Sequence, residues 1–158
     1  MVPIFALKFA HLLGAAVLFG TGLGIAFFMF MAHRTGHAGV IAVVARLVVI
    51  ADFVFTATAA VVQPVSGVAL AWAIGLSPLQ ESWIVVSLAL YALVGLCWLP
   101  VVFIQIKIRN LAREAALTGK PLPDAYYRLY RIWFWLGWPA FASVVAIFAL
   151  MTWQPRFW

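Results

Sequence analysis

The chain reads as long apolar runs separated by short polar clusters. Residues 4–32 are interrupted only by Lys8 and His11 and are stopped by His33-Arg34-Thr35-Gly36-His37. About 20 apolar residues suffice to cross a bilayer as a helix. A cleaved signal has an apolar core of only about 7–15 residues, so this run predicts a retained span. A second run begins near Val40 or Arg46 and reaches Ile74, with Gln63-Pro64 inside it. Its span is expected at 46–74, with the first turns in the interface or with the helix tilted and kinked at Pro64. Gly75-Leu76-Ser77-Pro78 ends it, and a third span is expected at 83–106, continuing as a basic amphipathic helix through Lys107, Arg109 and Arg113. Gly119, Pro121 and Pro123 mark the longest connection, and a fourth span follows at 129–152. The pattern predicts an all-α membrane protein, a bundle of four transmembrane helices in a single domain over residues 1–158.

Composition removes the soluble alternative. The 158 residues are 67% hydrophobic and 9% charged, against roughly 45–50% and 25% in soluble globular chains. The formal charge of +6 comes from ten Lys and Arg against four acids. Beside apolar spans such basic residues record orientation, so nucleic acid is not an expected partner. The first and third connections and their flanks hold Arg34, Arg46, Lys107, Arg109, Arg113, Lys120, Arg128 and Arg131, while the opposite side holds Lys8 and Arg156. Both termini of this multi-pass protein are therefore expected on the non-cytoplasmic side. Trp72, Trp83, Trp153 and Trp158 are expected as an outer aromatic belt, with Tyr126, Tyr127, Tyr130 and Trp133 as an inner one. The single cysteine, Cys97, excludes an internal disulfide and any cysteine-based zinc or iron–sulfur centre, and reads as a packed thiol.

A polar group in an apolar bundle demands a reason, because burying it without a partner costs several kcal/mol. His11 is expected roughly 10 Å below the outer surface, level with Gln63, Ser66, Ser87 and Tyr91. It shares a helical face with Gly14, Ala15, Leu18 and Gly22, and those small residues serve either close helix packing or clearance for a flat cofactor. The imidazole either hydrogen-bonds to Gln63, Ser66 or Tyr91, or ligates haem iron or copper through one nitrogen while the other donates to a neighbour. Lys8, one turn outward, would snorkel to water or meet a propionate. His33 lies about 33 Å further along the helix, and the later spans carry no histidine. A haem at His11 would thus be five-coordinate, take a weaker second ligand, or share a site across a dimer. His33 and His37 read as solvated cap residues.

At 100° per residue Asp52, Thr56, Gln63 and Ser66 fall on one stripe of the second helix, and Ser87, Tyr91, Trp98 and Gln105 on one stripe of the third. Together they would line a polar seam. Asp52 is expected to be protonated or paired with Lys107, Arg109 or Arg131, as a structural pair or as a proton- or redox-coupled group.

Several runs carry a family likeness: Lys8-Phe-Ala-His11-Leu-Leu-Gly14, the glycine-rich stretch from Leu18 to Phe28, Ala51-Asp52-Phe53, Gln63-Pro64-Val-Ser-Gly67, Cys97-Trp98-Leu-Pro100 and Gly137-Trp138-Pro139-Ala140. They resemble the bacterial integral-membrane family catalogued as domain of unknown function 2269, over essentially the whole chain. More distantly, Lys8, His11, Gly22 and His33 are similar to the first helix of the copper-resistance D-like superfamily, which includes a haem-dependent protoporphyrinogen oxidase. In that oxidase the helix-one histidine ligates haem and an early lysine of helix three is important. Here the third span opens Trp83-Ile-Val-Val-Ser87, without lysine, which argues against porphyrinogen oxidation.

Two functions follow. The first is a small redox protein holding haem b through His11, with Lys8, Gln63, Ser66 and Tyr91 around it and Asp52, Thr56 and Gln105 along the seam. If it is an enzyme, it is then a membrane oxidoreductase, working with another membrane redox protein or as a homodimer. The second is a cofactor-free bundle in the lipid bilayer, a scaffold or partner subunit whose polar residues are interhelical glue. A permeation or metal-handling role is a third and weaker reading, because the spans are short of charged and sulfur residues.

Overall fold

The computed structural model describes residues 4–158. Four helices are long and apolar enough to cross a membrane: α1 (Ile4–Arg34), α2 (Ala38–Ala73), α3 (Ser82–Thr118) and α4 (Asp124–Trp153). Among the described residues there is no strand. Four spans return the chain to the side it started from. The rim carrying both termini is here called the terminal rim, and the other, flanked by most Lys and Arg, the basic rim.

Tight turns set the antiparallel arrangement. Between α1 and α2 Gly36 takes φ 66, a left-handed conformation open to glycine without cost. The Thr35 hydroxyl donates to the Ala32 carbonyl at 2.7 Å and accepts from the His37 N–H at 3.2 Å. These bonds replace orphan groups at the end of α1 and let α2 begin at Ala38, well before Arg46. Helix α3 runs on to Thr118 and stops at Gly119, φ 65. At the terminal rim Ser82 pins the C-terminal tail, accepting from the Phe157 N–H at 2.9 Å and donating to the Pro155 carbonyl at 3.4 Å.

Helix α2 changes partner half-way along. Near the basic rim Ile41, Ala45 and Val48 pack with Ile104, Ile108 and Ala112 of α3 in the main buried cluster, which Met29, Tyr126 and Trp133 complete. Toward the terminal rim α2 lies on α1 instead. The two halves are joined by a π-helical turn at Asp52–Thr56. A π turn inserts an extra residue, so every face beyond it is rotated by about one residue's 100°. The single polar stripe expected from Asp52 to Ser66 is accordingly split: Asp52 faces α3, whereas Gln63 and Ser66 face α1. A smaller cluster of Ala71, Trp83 and Ile84 closes the terminal rim.

Helices α1 and α4 meet through long aromatic side chains. Phe19 stacks on Phe141 at 5.6 Å and meets Phe148 edge-on at 5.4 Å, and Phe30 stacks on Phe134 at 6.2 Å. Of the glycines on the His11 face, Gly14 is buried against Gln63 of α2, whereas Gly22 is exposed. A Cβ added at Gly20, Gly22 or Gly24 would meet nothing within 4 Å. Gly20 and Gly22 are exposed, and Gly24 half-buried.

Candidate functional site

Three polar constellations stand in the bundle, and the first is built on His11. Its ring lies against α2, where the absent side chain of Gly67 makes room: a Cβ there would come within 2.8 Å of His11 Cε1. Nδ1 stands 3.2 Å from the Gln63 carbonyl and 3.1 Å from Ser66 Oγ. The Ser66 hydroxyl donates to the Val62 carbonyl at 2.6 Å, so toward His11 it can only accept. Both neighbours of Nδ1 are therefore acceptors, which assigns the proton to Nδ1 and leaves the lone pair on Nε2. Nε2 accepts only a long bond from the Gln63 side-chain nitrogen, 3.5 Å away. The other end of that amide, Oε1, is buried without a partner, close over Gly14.

Of the residues expected around His11, the structure brings in Gln63 and Ser66. Lys8 is exposed one turn away. Tyr91 is elsewhere: its hydroxyl donates at 2.7 Å to the carbonyl of Ala60. Pro64 explains this, because it has no N–H to offer the carbonyl four residues back, and that carbonyl must find a donor on another helix. A proline inside a membrane span was the signal for this contact.

The second constellation surrounds Asp52, which is 3% exposed at the start of the π turn. Of the two expectations for it, protonation or pairing with Lys107, Arg109 or Arg131, the pairing is not made. Trp98 Nε1–H donates to Asp52 Oδ1 at 3.1 Å. With the Gln105 amide oriented so that its neighbours are satisfied, its nitrogen donates to Oδ2 at 2.9 Å and its oxygen accepts from Trp133 Nε1 at 3.3 Å. The basic residues lie further along α3 and α4, toward water, where leaving the bilayer costs less than reaching into it. Thr56 Oγ1 is buried without a partner, and Cys97 is a buried free thiol. Trp98 is expected on the seam with Asp52 and Gln105, whereas Trp133 as a donor to this network was not foreseen. Buried indoles seek an acceptor, and a lone carboxylate is the strongest one within reach.

The third constellation corrects the reading of His33 as a solvated cap. Its imidazole stacks on Tyr130, with centroids 3.6 Å apart and planes 12° apart, and Nδ1 is 3.0 Å from the Tyr126 hydroxyl. Tyr126 is fully buried, and Tyr130 and Trp133 nearly so, rather than facing the lipid interface as a belt. Trp83 is buried likewise, while Trp72, Trp153 and Trp158 remain exposed. Residues 126 and 130 are one turn apart on α4, so both rings cover the end of α1.

Among the described residues no group of three or more His, Cys, Asp or Glu is placed to hold a metal ion. The polar side chains thus form interhelical ties plus one imidazole with a weakly engaged lone pair. The family model for predicted integral membrane proteins catalogued as domain of unknown function 2269 matches residues 5–155. The chain belongs to that family. Its four apolar helices are those of a multi-pass integral membrane protein. No curated protein and no solved structure matches the chain.

Proposed function

We propose that this family member is a small b-type haem protein of a bacterial inner membrane, with His11 Nε2 as axial ligand. Its role is electron transfer between a membrane or extracytoplasmic donor and a membrane redox partner. The observation that carries this reading is the asymmetry of the imidazole. Nδ1–H is held by two acceptors, the Gln63 carbonyl and Ser66 Oγ, as the outer nitrogen of a metal-bound histidine usually is. Nε2 has one long contact, to an amide whose oxygen is orphaned. Buried polar groups are normally satisfied, and an under-satisfied pair at one spot points to a missing partner.

The donor set fits one axial position. No second imidazole is available at that depth, so a haem held here would take its one histidine from this chain at His11. When bound, the haem supplies one-electron exchange, with a potential tuned by its axial ligand and surroundings. The chain's own residues do the rest: Ser66 and the Gln63 carbonyl fix the ring orientation, Gly67 gives the ring its place, and exposed Lys8 offers a cation for a propionate. The outline of Lys8 and His11, similar to that of the haem-dependent oxidase superfamily, supports the same assignment. The lysine missing at 83–87 sets aside porphyrinogen oxidation.

A second reading is favoured by the same residues. Both ring nitrogens reach α2, so His11 also serves as a clamp in a cofactor-free bundle. Absorption spectra of protein purified from haem-replete cells, oxidised and dithionite-reduced, separate the two. The haem reading expects a Soret band that His11→Ala abolishes in a still-folded protein. A colourless wild type leaves the clamp.

A further inference from the structure

Helix α4 presents two opposite faces at the basic rim. Tyr126, Tyr130 and Trp133 are buried, whereas Arg128, Arg131, Ile132 and Trp135 are exposed. Offsets of 3, 4, 7 and 8 residues gather Arg128, Arg131, Ile132, Trp135 and Leu136 on one side. There they form a shallow, open groove along one face of the helix. The two guanidinium groups stand at its rim end. Trp135 lies about 6 Å deeper than Arg131 by helical rise, with Ile132 and Leu136 alongside.

We propose that this groove holds an anionic glycerophospholipid of the cytoplasmic leaflet, its phosphate between Arg128 and Arg131 and an acyl chain against Ile132, Trp135 and Leu136. Charge decides the headgroup. Neither guanidinium is engaged by a protein acceptor among the described residues, whereas that of Arg109 is occupied by Asn110 at 3.0–3.1 Å. Asp124, the acid in the first turn of α4, lies one turn before Arg128 on the side toward water. A guanidinium pair favours phosphate because each offers a planar fork of N–H donors. The apolar wall decides the rest. A free phosphate would gain nothing from Trp135 and Ile132, which lie on the membrane side of the charges, while a lipid places its glycerol and upper chain there. The basic rim is the side that the positive-inside rule assigns to the cytoplasm, where anionic lipid attracts juxtamembrane arginine.

The test is native mass spectrometry of the full chain released from detergent micelles that contain equal amounts of phosphatidylglycerol and phosphatidylcholine with the same acyl chains. The groove predicts that phosphatidylglycerol is retained in roughly ten-fold preference. Arg128→Gln with Arg131→Gln brings the preference close to unity, and Arg109→Gln leaves it unchanged. The doubly conservative Arg128→Lys with Arg131→Lys keeps part of it, because charge remains while the fork is lost. Should the glutamine pair not fold, Trp135→Ala reads the same groove through shorter retention of both lipids. Equal retention of the two lipids by the wild type would overturn the proposal. So would a preference that survives the glutamine pair, or one that shifts with Arg109→Gln. Displacement of the lipid by millimolar glycerol phosphate would make this a phosphate site and overturn it equally.

Discussion

The Tyr91 hydroxyl on α3 donates at 2.7 Å to the Ala60 carbonyl on α2, the group that Pro64 leaves without a backbone donor. A defect in one helix thereby becomes a tie to the next. Tyr91→Phe strands that carbonyl in an apolar setting and should destabilise the bundle by about 1–3 kcal/mol. In a Pro64→Ala background the backbone N–H returns, and the cost of Tyr91→Phe should shrink to a few tenths of a kcal/mol, read by unfolding in mixed micelles. The same cost in both backgrounds would show that the tie has another origin.

The glycines divide into two classes. Gly67→Ala would drive a Cβ to 2.8 Å from the His11 ring, and Gly14→Ala one to 2.6 Å from Gln63 Oε1. Gly67→Ala should be destabilising, whereas Gly14→Ala should be met by a swing of the Gln63 amide at little cost in stability, and both should disturb His11. Gly20→Ala and Gly22→Ala meet open space and should be neutral or more stable by up to about 1 kcal/mol, from helix propensity. Thermal unfolding of the four variants checks this order. A severe loss at Gly20 or Gly22 would mean that another chain packs there.

The elements that were legible are those written in local runs. The apolar stretches and the Gly36, Gly75 and Gly119 stops mark four helices, because spanning length and turn chemistry are local properties. The pairing of His11 with Gln63 and Ser66 was also within reach, since depth along neighbouring helices follows from counting residues. The π turn at Asp52–Thr56 was not, because nothing in a helical wheel signals an inserted residue. Its consequence was to turn Asp52 toward Trp98 and Gln105 and away from the stripe it was assigned to. The stacking of His33 on Tyr130 joins residues almost a hundred positions apart, and aromatic rings near a rim are as compatible with a lipid belt as with a packed box.

The Asp52 network makes a directional prediction. Asp52 accepts from Trp98 and Gln105, and the Gln105 oxygen in turn accepts from Trp133. Asp52→Asn turns one acceptor into a donor. Gln105 can follow only by flipping its amide, which then sets its own nitrogen against Trp133 Nε1–H. The variant should lose about 1–3 kcal/mol. Adding Trp133→Phe frees Gln105 to flip and should recover part of that loss beyond the cost of Trp133→Phe alone, as a double-mutant cycle reports. Strict additivity would sink the chain of bonds proposed here.

The most direct test of the haem assignment uses an imidazole supplied from outside. His11→Gly, purified from haem-replete cells, should be colourless, and on titration with free imidazole in the presence of one equivalent of added haemin it should regain the wild-type Soret and, after dithionite, the reduced α band as imidazole fills the vacated place. A colourless wild type, or a Soret band indifferent to both His11→Gly and imidazole, would contradict ligation by His11.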